Sequence, residues 1–171
     1  MEESDKNSRR RTPVEVYFLR YAFPCTYVKL ARGEISESDY NELEKSAIEG
    51  FILSRPRLEN IYKTAFFQIR NLAREMQKDI WDYEVIEEYF MRRHNEIINK
   101  GEGLYSIAPE KQKDLSRVKF GIVSEKKNDV LTVSFEDNTK RKVLNHLVPK
   151  AQAGDKVSVH YAHAVEIFSK H

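Results

Sequence analysis

The spacing of apolar residues changes once along this chain, and that change restricts the fold more than any other feature. From about Thr12 to Lys100 apolar positions recur at helical intervals, and from about Arg117 to Phe168 they alternate. Helices first and a sheet afterwards define an α+β protein. The 171 residues suffice for one medium domain or two small ones. Residues 101–116 hold two of the six glycines, Pro109 and the charged run Glu110 to Asp114, and so read as a linker. The expected division is a disordered tail over 1–11, a helical bundle over 12–100, the linker over 101–116 and a small barrel over 117–171.

The bundle should contain about four helices. Thr12, Pro13 and Glu15 form a capping-box pattern at the first start. Val14, Tyr17, Phe18, Tyr21, Ala22, Cys25 and Val28 continue one apolar stripe through Pro24, which predicts a kink there. Ser36 or Ser38 opens the second helix, with acidic first turns that suit the positive end of the helix dipole. The longest stripe follows Ser54: Leu58, Ile61, Tyr62, Ala65, Phe66, Ile69, Leu72, Ala73 and Met76. Asp82 can cap the fourth helix, which ends at Lys100-Gly101. Short connections between four such helices make a bundle.

In the last third, Val118 to Ile122, Leu131 to Phe135 and Val157 to Tyr161 alternate as half-buried strands. Glu136-Asp-Asn-Thr139 is a turn signal leading into the basic strand Lys140 to Leu144, and Ala164 to Phe168 closes the set. Five short strands predict a five-stranded antiparallel β-barrel, since closure removes exposed edges.

Charge excludes several function classes. Lys and Arg number 29 against 27 Asp and Glu, a net of +2, which argues against a nucleic-acid coat protein or a polyacidic tail. One cysteine makes no internal disulfide, and no apolar run reaches membrane-spanning length. The expectation is a cytoplasmic protein without membrane attachment. No Gly-rich phosphate loop or Gly-x-Ser-x-Gly elbow occurs. His94 lacks the Glu three residues earlier that a di-iron bundle requires, and Cys25 reads as a small core hydrophobe. Glu87 and Glu88 diverge around their helix and read as a solvated face. His160 and His163, three apart, point to opposite faces of a strand and can share an ion only if the chain bends at Ala162. No catalytic residue, bound cofactor or resident metal is therefore expected, and an enzyme is the weakest reading. From Leu115 onward ten Lys and Arg oppose six acids, so basic charge gathers in the barrel. Phe120, Phe135 and Tyr161 are expected mostly on its inner face, which leaves few rings for base stacking.

The stretch from about Ser116 to Phe168 resembles the HypC family of hydrogenase maturation chaperones, which are small barrel proteins. The similarity rests on Gly121-Ile-Val, Val133-Ser-Phe135 with the basic strand Lys140 to Val143, Leu147-Val-Pro149, Gly154-Asp155, and Val157-Ser-Val-His160 with Ala164-Val-Glu166. The resemblance implies a chaperone-like accessory protein. In that family an N-terminal cysteine and a histidine similar in place to His160 handle an iron–cyanide cargo. Counting back from Gly121 puts Ser116 at the cysteine's position, and a hydroxyl is a far poorer iron ligand than a thiolate. The family's C-terminal helical extension is also missing, and a helical segment precedes the barrel instead.

Two functional expectations result. The first is a non-catalytic accessory or assembly protein that grips a protein partner, such as a metalloenzyme or a maturation factor, with His160, His163, Lys140 and Lys142 as candidate contacts. The second is a nucleic-acid-associated protein using strand 140–142 and Arg9 to Arg11.

Overall fold

The computed structural model describes residues 12–169, so the expected tail 1–11, with Arg9 to Arg11, and the last two residues of the expected barrel range lie outside the described residues. The chain divides into two compact units, 1–94 and 95–171.

The first unit is helical, and the four expected helical stretches are present. The first consists of α1 (Val14–Ala22), a 3₁₀ turn (Phe23–Cys25) and α2 (Thr26–Ala31). The 3₁₀ turn is the kink at Pro24, whose missing N–H cannot support a continuous α-helix. The Thr12 capping box does not form. Pro13 holds the cap position instead, and Glu15 accepts a hydrogen bond from Arg55 Nε at 2.7 Å. Helix α3 (Glu37–Glu49) does carry a capping box, between Ser36 and Asp39, and ends on Gly50.

The long stripe after Ser54 is interrupted. Tyr62 leaves helical geometry (φ −106°, ψ 43°) and separates α4 (Arg55–Ile61) from α5 (Lys63–Met76). Tyr62 is buried and its hydroxyl hydrogen-bonds Thr26 Oγ1 at 2.8 Å, so a tertiary contact sits where the pattern predicted continuity. In the fourth stretch α6 (Tyr83–Glu88), capped by Asp82, runs into a π-turn (Tyr89–Arg93) and then α7 (His94–Lys100). The core of the first unit is aromatic: Phe18 meets the rings of Tyr62, Phe66, Trp81 and Phe90 at centroid distances of 4.8–5.7 Å.

Residues 95–171 form the second unit. The segment 101–116, which composition marks as a linker, is largely helical, with a 3₁₀ turn (Gly103–Ser106) and α8 (Glu110–Ser116). Five strands follow: β1 (Lys119–Lys127), β2 (Val130–Phe135), β3 (Lys140–Leu144), β4 (Lys156–His160) and β5 (His163–Ser169). They close a barrel in the order β1-β2-β3-β5-β4. The antiparallel expectation needs correction, because β3 and β5 run parallel where Leu144 opposes His163. An odd number of strands cannot alternate direction all the way round a closed ring, so one neighbouring pair must be parallel. Periodicity within a strand carries no information about its neighbour's direction.

The barrel interior is aliphatic. Val123, Leu131, Val133, Phe135, Val143, Val157, Val159 and Ala164 pack there. Side chains alternate along a strand, so this set fixes which residues point outward. Gly121 faces the same interior, opposite Phe135 on β2 and Val157 on β4.

Candidate docking face on the barrel

Beyond Phe120, the outward residues of β1, β2 and β3 form three rows read from the strand registers. Lys156 of β4, Ile122, Ser134 and Lys140 form the first. Glu125, Thr132 and Lys142 form the second. Lys127, Val130, Leu144 and His163 of β5 form the third. A bulge at Ser124 sets the second row, because the register shifts between Val123 and Glu125 and turns Glu125 outward. The second and third rows border an open groove of about 510 Å³, closed at one end by Asn128, Asp129 and His146.

Lys140 and Lys142 are both exposed and share this face, while Arg141 between them does not. Arg141 opposes Val133, so it points to the barrel's interior side and lies over the Phe135 ring at 5.4 Å. Its guanidinium donates to Asp114 Oδ2 of α8 at 2.9 Å. Asp114 also pairs with Lys119, whose ammonium sits 4.5 Å from the Phe135 ring centre. One mouth of the barrel is thus shut by two cations over an aromatic ring, held in place by the carboxylate of α8. Neither Lys140 nor Lys142 forms an ion pair among the described residues.

The aromatic residues are placed differently from the sequence expectation in part. Phe135 is in the core as expected. Phe120 opposes Ser158 and points outward, where its ring edge meets Phe168 at 5.0 Å. Tyr161 is in the β4–β5 turn with φ 51°, and its hydroxyl hydrogen-bonds Ser116 Oγ at 2.7 Å. All four rings are buried or half-buried, and no barrel aromatic among the described residues is exposed.

The histidine pair depends on that turn. His160 ends β4, Tyr161 and Ala162 reverse the chain, and His163 begins β5 directly opposite His160. The bend at Ala162 therefore exists, and the two imidazoles are cross-strand neighbours where one straight strand would have separated them. His160 is buried, and His163 is held near a pKa of about 4 by burial first and by the charge of nearby His146 second. A neutral, largely buried His163 is a poor charged contact for a partner.

The iron-handling pair implied by the HypC resemblance does not fit these residues. Ser116 is fully buried, and its hydroxyl is engaged with the Gln112 carbonyl at 2.8 Å as well as with Tyr161. His160 is buried too, and no group of three metal-ligating side chains occurs among the described residues. Ser116 ties α8 to the β4–β5 turn, where Tyr161 N–H also donates to the Leu115 carbonyl at 3.1 Å, and the His160 ring lies 5.1 Å from that of Tyr161.

Of the β1, β2 and β3 residues on this face, the sequence singles out only Lys140 and Lys142. Ile122, Ser134, Thr132, Val130 and Leu144 join it only through strand register. The alternation around Thr132 and Ser134 was a usable signal, since a polar residue between two core valines must point outward. Comparison with known proteins gave no match to a family model, a curated protein or a solved structure.

Proposed function

We propose that the chain is a non-catalytic accessory protein whose barrel docks a protein partner through the outward face of β1, β2 and β3. The observation that carries this reading is the composition of the face. Cations without ion partners, hydroxyls and aliphatic side chains stand side by side there, and the one ring at its edge, Phe120 of β1, is half-buried with its ring against Phe168. Five-stranded barrels can use the face of their second and third strands to bind oligonucleotides or oligosaccharides, so the chemistry of this face decides the occupant. Single-stranded nucleic acid would need aromatic platforms for its bases, each worth about 1–3 kcal/mol. Glu125 in the middle row also repels a uniformly anionic backbone.

The resemblance over 116–168 points to a metalloenzyme precursor or its maturation machinery as the partner class. Iron transfer is no part of the reading, because Ser116 and His160 are buried in packing roles. The test compares protein retained from nuclease-treated lysate by the wild-type chain and by a Lys140→Glu, Lys142→Glu variant. A defined protein set kept by the wild type and lost by the variant is expected. An oligonucleotide complex tighter than about 10 μM near physiological salt, abolished by the same variant, would contradict the reading.

A further inference from the structure

We infer that the occupant of this face is an extended, acidic polypeptide segment lying along β3, with carboxylates at alternate positions and an aliphatic residue after them. This inference rests on the docking reading above and specifies the partner's chemistry. Three observations carry it. Lys140 and Lys142 are exposed, without ion pairs among the described residues, and two positions apart on one strand. They are therefore separated by about 6.8 Å along β3, the same interval as alternate side chains of an extended segment. An Asp or Glu at every second position can meet both ammonium groups without distortion.

The chemistry then changes along the same strand. Leu144 follows Lys142 outward, beside Val130 on β2, so the face passes from cationic to aliphatic within one strand length. The matching segment carries two acids and then a Leu, Ile or Val. Across the strands, Ser134 and Thr132 lie beside the lysines and offer hydroxyls to the segment's backbone or side chains.

Glu125 decides between a polypeptide and a polyanion. It stands two strands from Lys142, a backbone separation of about 9.6 Å at ordinary strand spacing, and the two form no ion pair. A nucleic-acid backbone brings the same negative charge to every position and meets Glu125 with repulsion. A polypeptide can place a neutral or basic side chain there and keep its carboxylates over β3.

The experiment is an amide-shift NMR titration of the full chain with three probes at low millimolar concentration and low salt. The probes are an acetylated, amidated Glu-Ser-Glu-Thr-Leu peptide, the same peptide with Gln for both Glu, and decathymidylate. The acidic peptide should shift amides of 122, 130–134 and 140–144. The Gln peptide should bind about two- to thirtyfold more weakly, the range of two exposed ion pairs. Lys140→Gln, Lys142→Gln should erase that preference while leaving the rest of the spectrum unchanged, which also reports folding. Equal binding of the two peptides at the face would overturn the acidic inference and leave protein docking standing. Tighter binding of decathymidylate would overturn both. Absence of peptide shifts on the face would overturn the inference, with the docking reading then judged by its own lysate comparison.

Discussion

Adding one methyl group at Gly121 should damage the barrel more than most larger substitutions elsewhere. A Cβ built there would lie 2.5 Å from Val133 Cγ1, 2.6 Å from the Ser134 carbonyl oxygen and 3.0 Å from Phe135 Cδ1. The valine can change rotamer, but the carbonyl oxygen is backbone of β2 at a residue paired with Ile122 of β1 on one side and Lys140 of β3 on the other, and cannot swing aside. Relief requires β1 and β2 to separate, which strains the pairs from Gly121–Phe135 to Val123–Val133. Overpacking of this kind costs about 1–3 kcal/mol, and a backbone obstacle places Gly121→Ala near the top of that range. Hydrogen exchange followed by mass spectrometry on peptides from β1 and β2 isolates this unit from the helical one. A loss of about 3 kcal/mol lowers protection of the slowest β2 amides roughly a hundredfold. Gly154→Ala is the comparison, because its Cβ meets nothing within 4 Å and only its φ of 95° is strained. Protection of β2 unchanged within about threefold in Gly121→Ala would refute the close strand approach and the register derived from it.

In the helical unit, Phe66→Ala and Leu72→Ala each remove a fully buried side chain and should cost about 2–5 kcal/mol in urea unfolding, with losses below about 0.5 kcal/mol at both sites contradicting the core assignment. Burial pushes the Cys25 thiol up to about 11, and the thiol donates to the Ala22 carbonyl at 3.1 Å, so native labelling near pH 7.5 should be slow and denatured labelling fast, although the residue as a whole is half-exposed; rapid native labelling would contradict this. His163, held near 4 against about 6.5 when unfolded, favours its neutral form in the fold, so its stabilisation is complete above pH 6.5 and is lost as pH falls toward 4, by at most about 2 kcal/mol at pH 5. Urea unfolding of His163→Gln should lose that part of the pH slope, and an unchanged slope would assign the acid sensitivity to other groups.

Much of the architecture was readable because periodicity reports burial directly. The stripe ending at Met76 and the alternation in β2 both mark residues that the structure buries. The break at Tyr62 was hidden, since the Thr26 hydrogen bond that accompanies it comes from a distant part of the chain. The parallel β3–β5 pair was hidden for a different reason: it follows from closing an odd number of strands, a property of the whole ring. On the face, Lys140 and Lys142 could be found from one strand's alternation. Their neighbours on β1 required the bulge at Ser124, and nothing in the local sequence Val123-Ser-Glu-Lys announces it. His160, expected as a partner contact, is buried at the end of β4, and nothing in a strand-end histidine announces that burial.

The central claim is that the outward face of β1, β2 and β3 meets protein. Thr132 sits at the middle of that face, between Glu125 and Lys142, and a photoreactive benzoyl-phenylalanine placed there reaches whatever covers it. In cells expressing the full chain, irradiation should yield a nuclease-resistant adduct to a partner protein. The same group at exposed Gln152, outside the three rows, should not yield it. Mass spectrometry of the adduct should place the cross-link in an acidic segment, and Lys140→Glu, Lys142→Glu should abolish it. A nuclease-sensitive adduct from Thr132, or equal adducts from Thr132 and Gln152, would contradict the account.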